Sequence, residues 1–337
     1  MSSYNLSETQ GKKLSSILKL DQWFRLSIRE SIITENALQP CSQMNYLLAF
    51  GCEITTSHIN KITDFLKSKK IDDANICYFQ PDPKLEPALV IQCQFDIAHL
   101  KPLIAALSQV LSCQLAVFDD APKITQPGLL VMDMDSTAIT IECIDEIARL
   151  ANVYEEVASV TAQAMSGALE FSDSLKLRVS KLEGIELKLI EKLKQQLPLM
   201  PGVLDLCEYL KSKGWTLAIA SGGFIPFAER VQQLIGLDFI HANELEVKDD
   251  KLTGNVLGVI VDAQEKANFL NKMANELKID IKQTLAMGDG ANDLKMMSAA
   301  GLGIAVHGKP TVVKEADVAI NDGSLLQVAY FISIPNR

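Results

Sequence analysis

Two carboxylates stand one residue apart in Val131-Met132-Asp133-Met134-Asp135-Ser136-Thr137, directly after the apolar run Leu129 to Met132. Such a run is too short for a helix and fits a strand buried on both faces. Positions i and i+2 of a strand point to the same side, so Asp133 and Asp135 would place like charges together. A cation held between them relieves that cost, and so does keeping one carboxyl protonated for acid-base work. At the end of a parallel strand, where open α/β sheets bind ligands, both uses are available. Taken alone, the pair reads equally well as a solvated acidic loop.

Three more polar clusters follow in order. Ser221-Gly222-Gly223 ends the apolar stretch Thr216–Ala220. Lys266 lies in or just past the first turn of a helix opened by the capping box Asp262-Ala263-Gln264-Glu265. Gly288-Asp289-Gly290-Ala291-Asn292-Asp293 ends the stretch Thr284–Met287. Each cluster has a bland reading, as a turn, a solvated lysine or a capping loop. Their joint occurrence at strand ends and a helix start is what points to one site.

The elements that would position them alternate. Short apolar strands at Leu302–Val306 and Val318–Ile320 continue the series, with a helix at Val203–Lys213 stopped by Gly214, and a hairpin from Glu244–Val247 to Leu252–Val256 around Asp249-Asp250. This pattern predicts an α/β fold with a doubly wound parallel sheet. Between the first strand and Pro198 the periodicity is helical throughout, with breaks at Gly167 and Gly184. A helical cap over about residues 143–198, inserted after the first strand, would hang over the strand ends as a lid.

The order Asp-Met-Asp-Ser-Thr, Ser-Gly-Gly, Lys, Gly-Asp-Gly-Ala-Asn-Asp resembles the four motifs of haloacid-dehalogenase-like (HAD) phosphatases, over residues 128 to about 325. Within that superfamily the likeness is to the phosphoserine phosphatase family. Glu142 stands nine residues after Asp133, and the insertion carries Met165, Phe171 and Arg178 in that family's cap spacing. The resemblance implies Mg²⁺-dependent hydrolysis of O-phospho-L-serine, the last step of serine biosynthesis, through an aspartyl-phosphate. It assigns Asp133 as nucleophile and Asp135 as general acid/base. The metal would be held by Asp133, the Asp135 backbone carbonyl and Asp289. Ser221, Gly222, Lys266 and Asn292 would hold the phosphate, with Asp293 behind them. Glu142, Met165, Phe171 and Arg178 would take the amino-acid end. The alternative within the same class is a HAD-type phosphatase or phosphotransferase acting on another small phosphomonoester. A receiver-type signalling switch also phosphorylates an Asp on a doubly wound sheet. It would lack the lid and the Ser-Gly-Gly cluster, and its acids would not follow the first strand.

Upstream, residues 44–120 predict βαββαβ: strands at Tyr46–Phe50, Ile76–Phe79, Ala88–Phe95 and Gln114–Phe118, with helices at Thr55–Lys69 and Ile97–Leu111. That is the split βαβ of α+β ferredoxin-like folds, and it resembles ACT-type small-molecule-sensing domains. A packing or dimerisation module gives the same pattern, so a homodimer and an amino-acid effector are both expectations here. Residues 1–43 read as an N-terminal helical segment, amphipathic around Leu14–Leu26 and loop-like at Gln39-Pro40. A proline-marked linker, Asp119 to Pro127, leads to a phosphatase domain expected over 128–337.

Composition sets the outer bounds. The 337 residues carry a net charge of −10, which argues against nucleic acid or an anionic membrane surface as partner. Seven cysteines without a CxxC read as reduced, buried thiols. Met1 to Leu14 lacks the apolar core of a signal peptide, and no apolar run is long enough to span a membrane. A cytoplasmic location is expected.

Overall fold

The computed structural model describes residues 3–335 apart from 7, 8, 10, 36–43 and 166–168, and without the Ser3 and Met165 side chains. Gln39-Pro40, Cys41, Gly167 and the Met165 side chain, all singled out from the sequence, lie outside the described residues. The chain forms two units, one of residues 1–125 together with 318–337, the other of residues 126–317.

The first unit contains β1 (Ser3–Asn5), β2 (Gln22–Ser27), β3 (Ile32–Thr34), β4 (Asn45–Phe50), α1 (Thr56–Ser68), β5 (Asp73–Phe79), β6 (Ala88–Cys93), α2 (Ile97–Leu111) and β7 (Gln114–Phe118). The expected βαββαβ order is present, and its sheet runs β5-β6-β4-β7 with antiparallel pairing throughout. The expected N-terminal helix is not. Gln22–Ser27 is a strand paired antiparallel with β5, and β3 and β1 extend the sheet beyond it. Phe24, Leu26 and Ile28 are buried while their neighbours are not. This period of two outweighs the helical spacing of Leu14, Ile17 and Leu18, which yields a single 3₁₀ turn at Leu14–Ser16.

One face of this sheet packs Leu47, Ile76 and Ile91 against Ile59 and Ile62 of α1 and Leu100 of α2. The other face is covered by the end of the chain. The short helix Ala329–Ile332 places Tyr330 against Phe50 and Phe79, and Phe331 against Phe50 and Phe118, at ring separations of 5.5–6.1 Å. Residues 318–337, expected with the phosphatase domain, therefore group with the N-terminal unit. Aromatic burial explains the difference, because Tyr330 and Phe331 are at most 1% exposed there.

The second unit contains β8 (Leu129–Met132), a cap of α3 (Cys143–Leu150), α4 (Tyr154–Met165), α5 (Phe171–Ser180) and α6 (Leu187–Lys194), then α7 (Val203–Ser212), β9 (Thr216–Phe224), α8 (Ile225–Ile235), β10 (Phe239–Lys248), β11 (Lys251–Leu257), α9 (Ala263–Leu277), β12 (Thr284–Gly288), α10 (Leu294–Ala299), β13 (Leu302–Val306) and α11 (Pro310–Glu315). Within this unit the strands run β11-β10-β9-β8-β12-β13, parallel except for β11. The hairpin turn at Asp249-Asp250 has positive φ at both residues, 50° and 58°. Asp tolerates that conformation, and it suits the twist of a two-residue turn. The cap is tied to the hairpin through its backbone: Gly184 N–H donates to Leu252 O at 2.8 Å and Leu252 N–H to Ile185 O at 2.9 Å.

The register aligns the strand ends. Met132 of β8 lies beside Ile219 of β9 and Met287 of β12. The residues that follow these three positions emerge together at one edge, where an open parallel sheet binds its ligands.

Candidate active site

At that edge lies a cavity of about 510 Å³, roofed by the cap. The sheet side contributes Asp133, Asp135, Ser221, Gly222, Asp289 and Asn292. The cap side contributes Glu142, Phe171 and Arg178. Of the residues expected from the sequence, Lys266 and Asp293 sit behind this wall and are completely buried.

Asp133 is anchored by its own backbone, whose N–H donates to Met287 O at 2.9 Å. Its Oδ1 accepts the Met134 N–H at 2.8 Å and lies 2.8 Å from Lys266 Nζ. That ammonium is also 2.7 Å from Asp293 Oδ1, and Asp293 Oδ2 accepts the Gly290 N–H at 3.0 Å. Burial disfavours the Lys266 ammonium, but Asp133 and Asp293 outweigh it and raise its pKa. The lysine is therefore a fixed positive charge. Gly288 permits this packing: a Cβ there would fall 2.3 Å from Asp293 Cγ. α9 brings Lys266 into place, its first turn capped by Asp262, which accepts from Gln264 N–H and Glu265 N–H.

β9 continues beyond the expected end at Ala220 and carries Ser221-Gly222-Gly223 within the strand. Ser221 Oγ accepts the Gly223 N–H at 2.9 Å, which leaves its own hydrogen to donate elsewhere. The Phe171 ring of the cap closes on Gly222, where a Cβ would come 2.9 Å from Phe171 Cζ. A second residue fixes this stretch of β9 and carries no motif. Asn243, 1% exposed on β10, donates from Nδ2 to Gly222 O at 2.8 Å and accepts the Val261 N–H at Oδ1 at 2.9 Å. It joins the Ser-Gly-Gly stretch of β9 to the segment leading into α9, and nothing in its sequence neighbourhood marks it.

Burial, with Glu142 and Asp133 nearby, pushes the Asp135 carboxyl well above the ordinary range, and its buried Oδ1 has no hydrogen-bond partner among the described residues. Burial likewise raises Glu142, assisted by Asp133 and Asp289, while the Ser136 hydroxyl, donating at 2.7 Å, pulls the other way. Arg178 has no ion-pair partner among the described residues, and its buried Nε makes no hydrogen bond. Burial lowers its pKa and the acids Asp145, Glu142 and Asp135 oppose that.

The carboxylates of Asp133, Asp289 and Asp293 offer oxygen atoms within 4.8 Å of one another. Both Asp293 oxygens are already engaged, by Lys266 and by Gly290. Asp289 and the second oxygen of Asp133 are the available pair. Burial and Asp133 raise the pKa of Asp289. A divalent cation between these hard oxygen donors would relieve that repulsion, so the donor set fits a metal.

The haloacid dehalogenase-like hydrolase model matches residues 128–301, more than half of the chain. The chain is 48% identical over 225 residues to the phosphoserine phosphatase of Vibrio cholerae, covering 67% of this chain and 69% of that one. It belongs to the phosphoserine phosphatase family of haloacid dehalogenase-like hydrolases. Another member, from Idiomarina loihiensis, is 49% identical over 201 residues, which are 60% of this chain and 91% of the relative. The crystal structure of a probable phosphoserine phosphatase from Vibrio cholerae superposes with a TM-score of 0.72 at 40% identity, covering 88% of this chain and 89% of that one. This family likeness extends beyond the hydrolase residues, since 88% of the chain exceeds the second unit. No helix among the described residues is long and apolar enough to cross a membrane.

Proposed function

We propose that this chain hydrolyses O-phospho-L-serine to L-serine and phosphate, as a cytoplasmic enzyme acting last in serine biosynthesis. The observation that carries this reading is that one cavity joins the acids of the sheet side to charged groups of the cap. The sheet side supplies Asp133, Asp135, Ser221 and Asp289, backed by Lys266. The cap side supplies Arg178, without an ion-pair partner among the described residues, and Glu142, the charges needed for a carboxylate and an ammonium.

Hydrolysis of a phosphate monoester needs on the order of 20 kcal/mol of barrier lowering. Two chemical steps divide it. An Asp133 oxygen attacks phosphorus, the bond from phosphorus to the seryl oxygen breaks, and the Asp135 proton passes to that oxygen. Asp135, now a carboxylate, takes a proton from water as the water oxygen attacks phosphorus. The bond to Asp133 then breaks and phosphate leaves. The raised pKa of Asp135 suits the first step, since it favours the protonated carboxyl that must donate. Lys266 stabilises charge on the phosphoryl oxygens, and the Ser221 hydroxyl, the Gly222 N–H and Asn292 add donors. Mg²⁺ held by Asp133, Asp289 and the Asp135 carbonyl would neutralise charge between nucleophile and ester.

Arg178 takes the serine carboxylate by its fork and Glu142 the ammonium. Phe171, closing on Gly222, keeps water from the reacting phosphorus. A phosphate-release screen with Mg²⁺ over phosphoserine, phosphothreonine and sugar phosphates tests the reading. Phosphoserine should have the highest kcat/KM, and a sugar phosphate that surpasses it would overturn the assignment.

A further inference from the structure

Ser174 is 1% exposed, lines the cavity, and its Oγ has no hydrogen-bond partner among the described residues. Its backbone N–H bonds the Glu170 carbonyl at 2.9 Å in the ordinary helical way, but the hydroxyl makes no such return bond. A buried hydroxyl without a partner costs about 1–3 kcal/mol, so a position like this calls for an explanation. Its place on α5 supplies one. Phe171, Ser174 and Arg178 are spaced three and four residues apart, which puts them on one helical face, and all three line the same cavity. The next unsatisfied polar atom on that face is Arg178 Nε.

Two unsatisfied donors one helical turn apart, one of them cationic, describe a receptor for an anionic group with two acceptor atoms. An ammonium would be repelled from this face by Arg178. Glu142, at the start of α3, offers the complementary charge elsewhere in the cavity.

We propose that Ser174 is a specificity-determining residue, its hydroxyl donating to the same substrate carboxylate that Arg178 holds. The inference rests on the phosphoserine reading and deepens it. It makes the carboxylate, more than the ammonium, the group by which the cap distinguishes amino-acid phosphates from other monoesters.

The test is Ser174→Ala in the full chain with Mg²⁺, comparing phosphoserine with phosphoethanolamine, which keeps the phosphate and ammonium but lacks the carboxylate. The ratio of kcat/KM for the two substrates should fall about tenfold, the worth of one hydrogen bond to a charged group, with the loss in KM. The melting temperature of the free protein should not fall, because the variant removes an unsatisfied hydroxyl and installs a better helix former. An unchanged ratio overturns the proposal, as does a fall in melting temperature with both substrates losing equally, which would make Ser174 a packing residue. If the unaltered protein shows no preference for phosphoserine over phosphoethanolamine, the phosphoserine reading fails with it. A wild-type preference whose size the substitution leaves unchanged removes the Ser174 inference alone.

Discussion

The Lys266 ammonium, fully buried, lies 2.8 Å from the Asp133 carboxylate and holds Asp293 at 2.7 Å on its other side. A helix start and two strand ends thus meet in one ion triad. Breaking a buried charge network by removing one partner costs far more than the net worth of the network, because the others are left uncompensated. Lys266→Met should therefore destabilise the protein by about 3–5 kcal/mol in urea unfolding. It should also lower kcat by about 10²–10³, as loss of one preorganised charge does. Retained stability with lost activity would show that the triad is catalytic only.

Asp133→Asn keeps the shape of the side chain and removes the nucleophilic oxygen. Phosphate release from phosphoserine should drop to the background rate, while circular dichroism stays that of the parent. Turnover near the parent rate would take the nucleophile role away from Asp133.

Arg178→Ala should weaken kcat/KM for phosphoserine by about 10²-fold, since a charge-assisted bidentate contact is lost. Stability should hold, because Arg178 Nε has no hydrogen-bond partner among the described residues. A melting temperature lowered by several degrees would mean that the arginine serves the fold.

Asn243 works at one remove from the chemistry. Replacing it with Leu strands the Gly222 carbonyl and the Val261 N–H, each of which now bonds its amide at 2.8–2.9 Å. The expected cost is about 1–3 kcal/mol of stability for each buried group left unmet. kcat should fall too, because the Ser-Gly-Gly stretch of β9 loses its tie. Asn243→Asp separates the two bonds, since it can still accept from Val261 but cannot donate to Gly222. If Asn243→Asp behaves like the parent in kcat, the bond to Gly222 positions nothing.

What could be read from the sequence follows physical lines. Asp133, Ser221 and Asp289 each end an apolar run, so type and place in the pattern announced them together. Lys266 was legible through the Asp262 cap that starts its helix. Asn243 and Ser174 were not, because a single polar residue inside an element leaves no periodic trace. Only the folded geometry shows that the Asn243 amide bonds twice and that the Ser174 hydroxyl has no partner among the described residues. The N-terminal stretch misled for a different reason. Leu14, Ile17 and Leu18 have helical spacing, yet the strand at Gln22–Ser27 gains a partner edge in β5 that local pattern cannot reveal.

The same limit hid the destination of the chain's end, and that leads to a prediction about the first unit. Phe331 is completely buried and meets Phe50 and Phe118 edge-on at 5.5 and 5.9 Å. The backbone beside it is tied in by Ile124 N–H donating to Ile332 O at 3.0 Å and by Trp23 Nε1 donating to Pro335 O at 2.9 Å. Truncating such an aromatic removes its transfer free energy and leaves a cavity, together worth about 3–5 kcal/mol. Phe331→Ala should therefore lower the denaturant midpoint reported by Trp23 fluorescence in a Trp215→Phe background. That background is needed because Trp215, the other tryptophan, lies in the second unit. An unmoved Trp23 transition would show that the aromatic cover contributes nothing to the first unit.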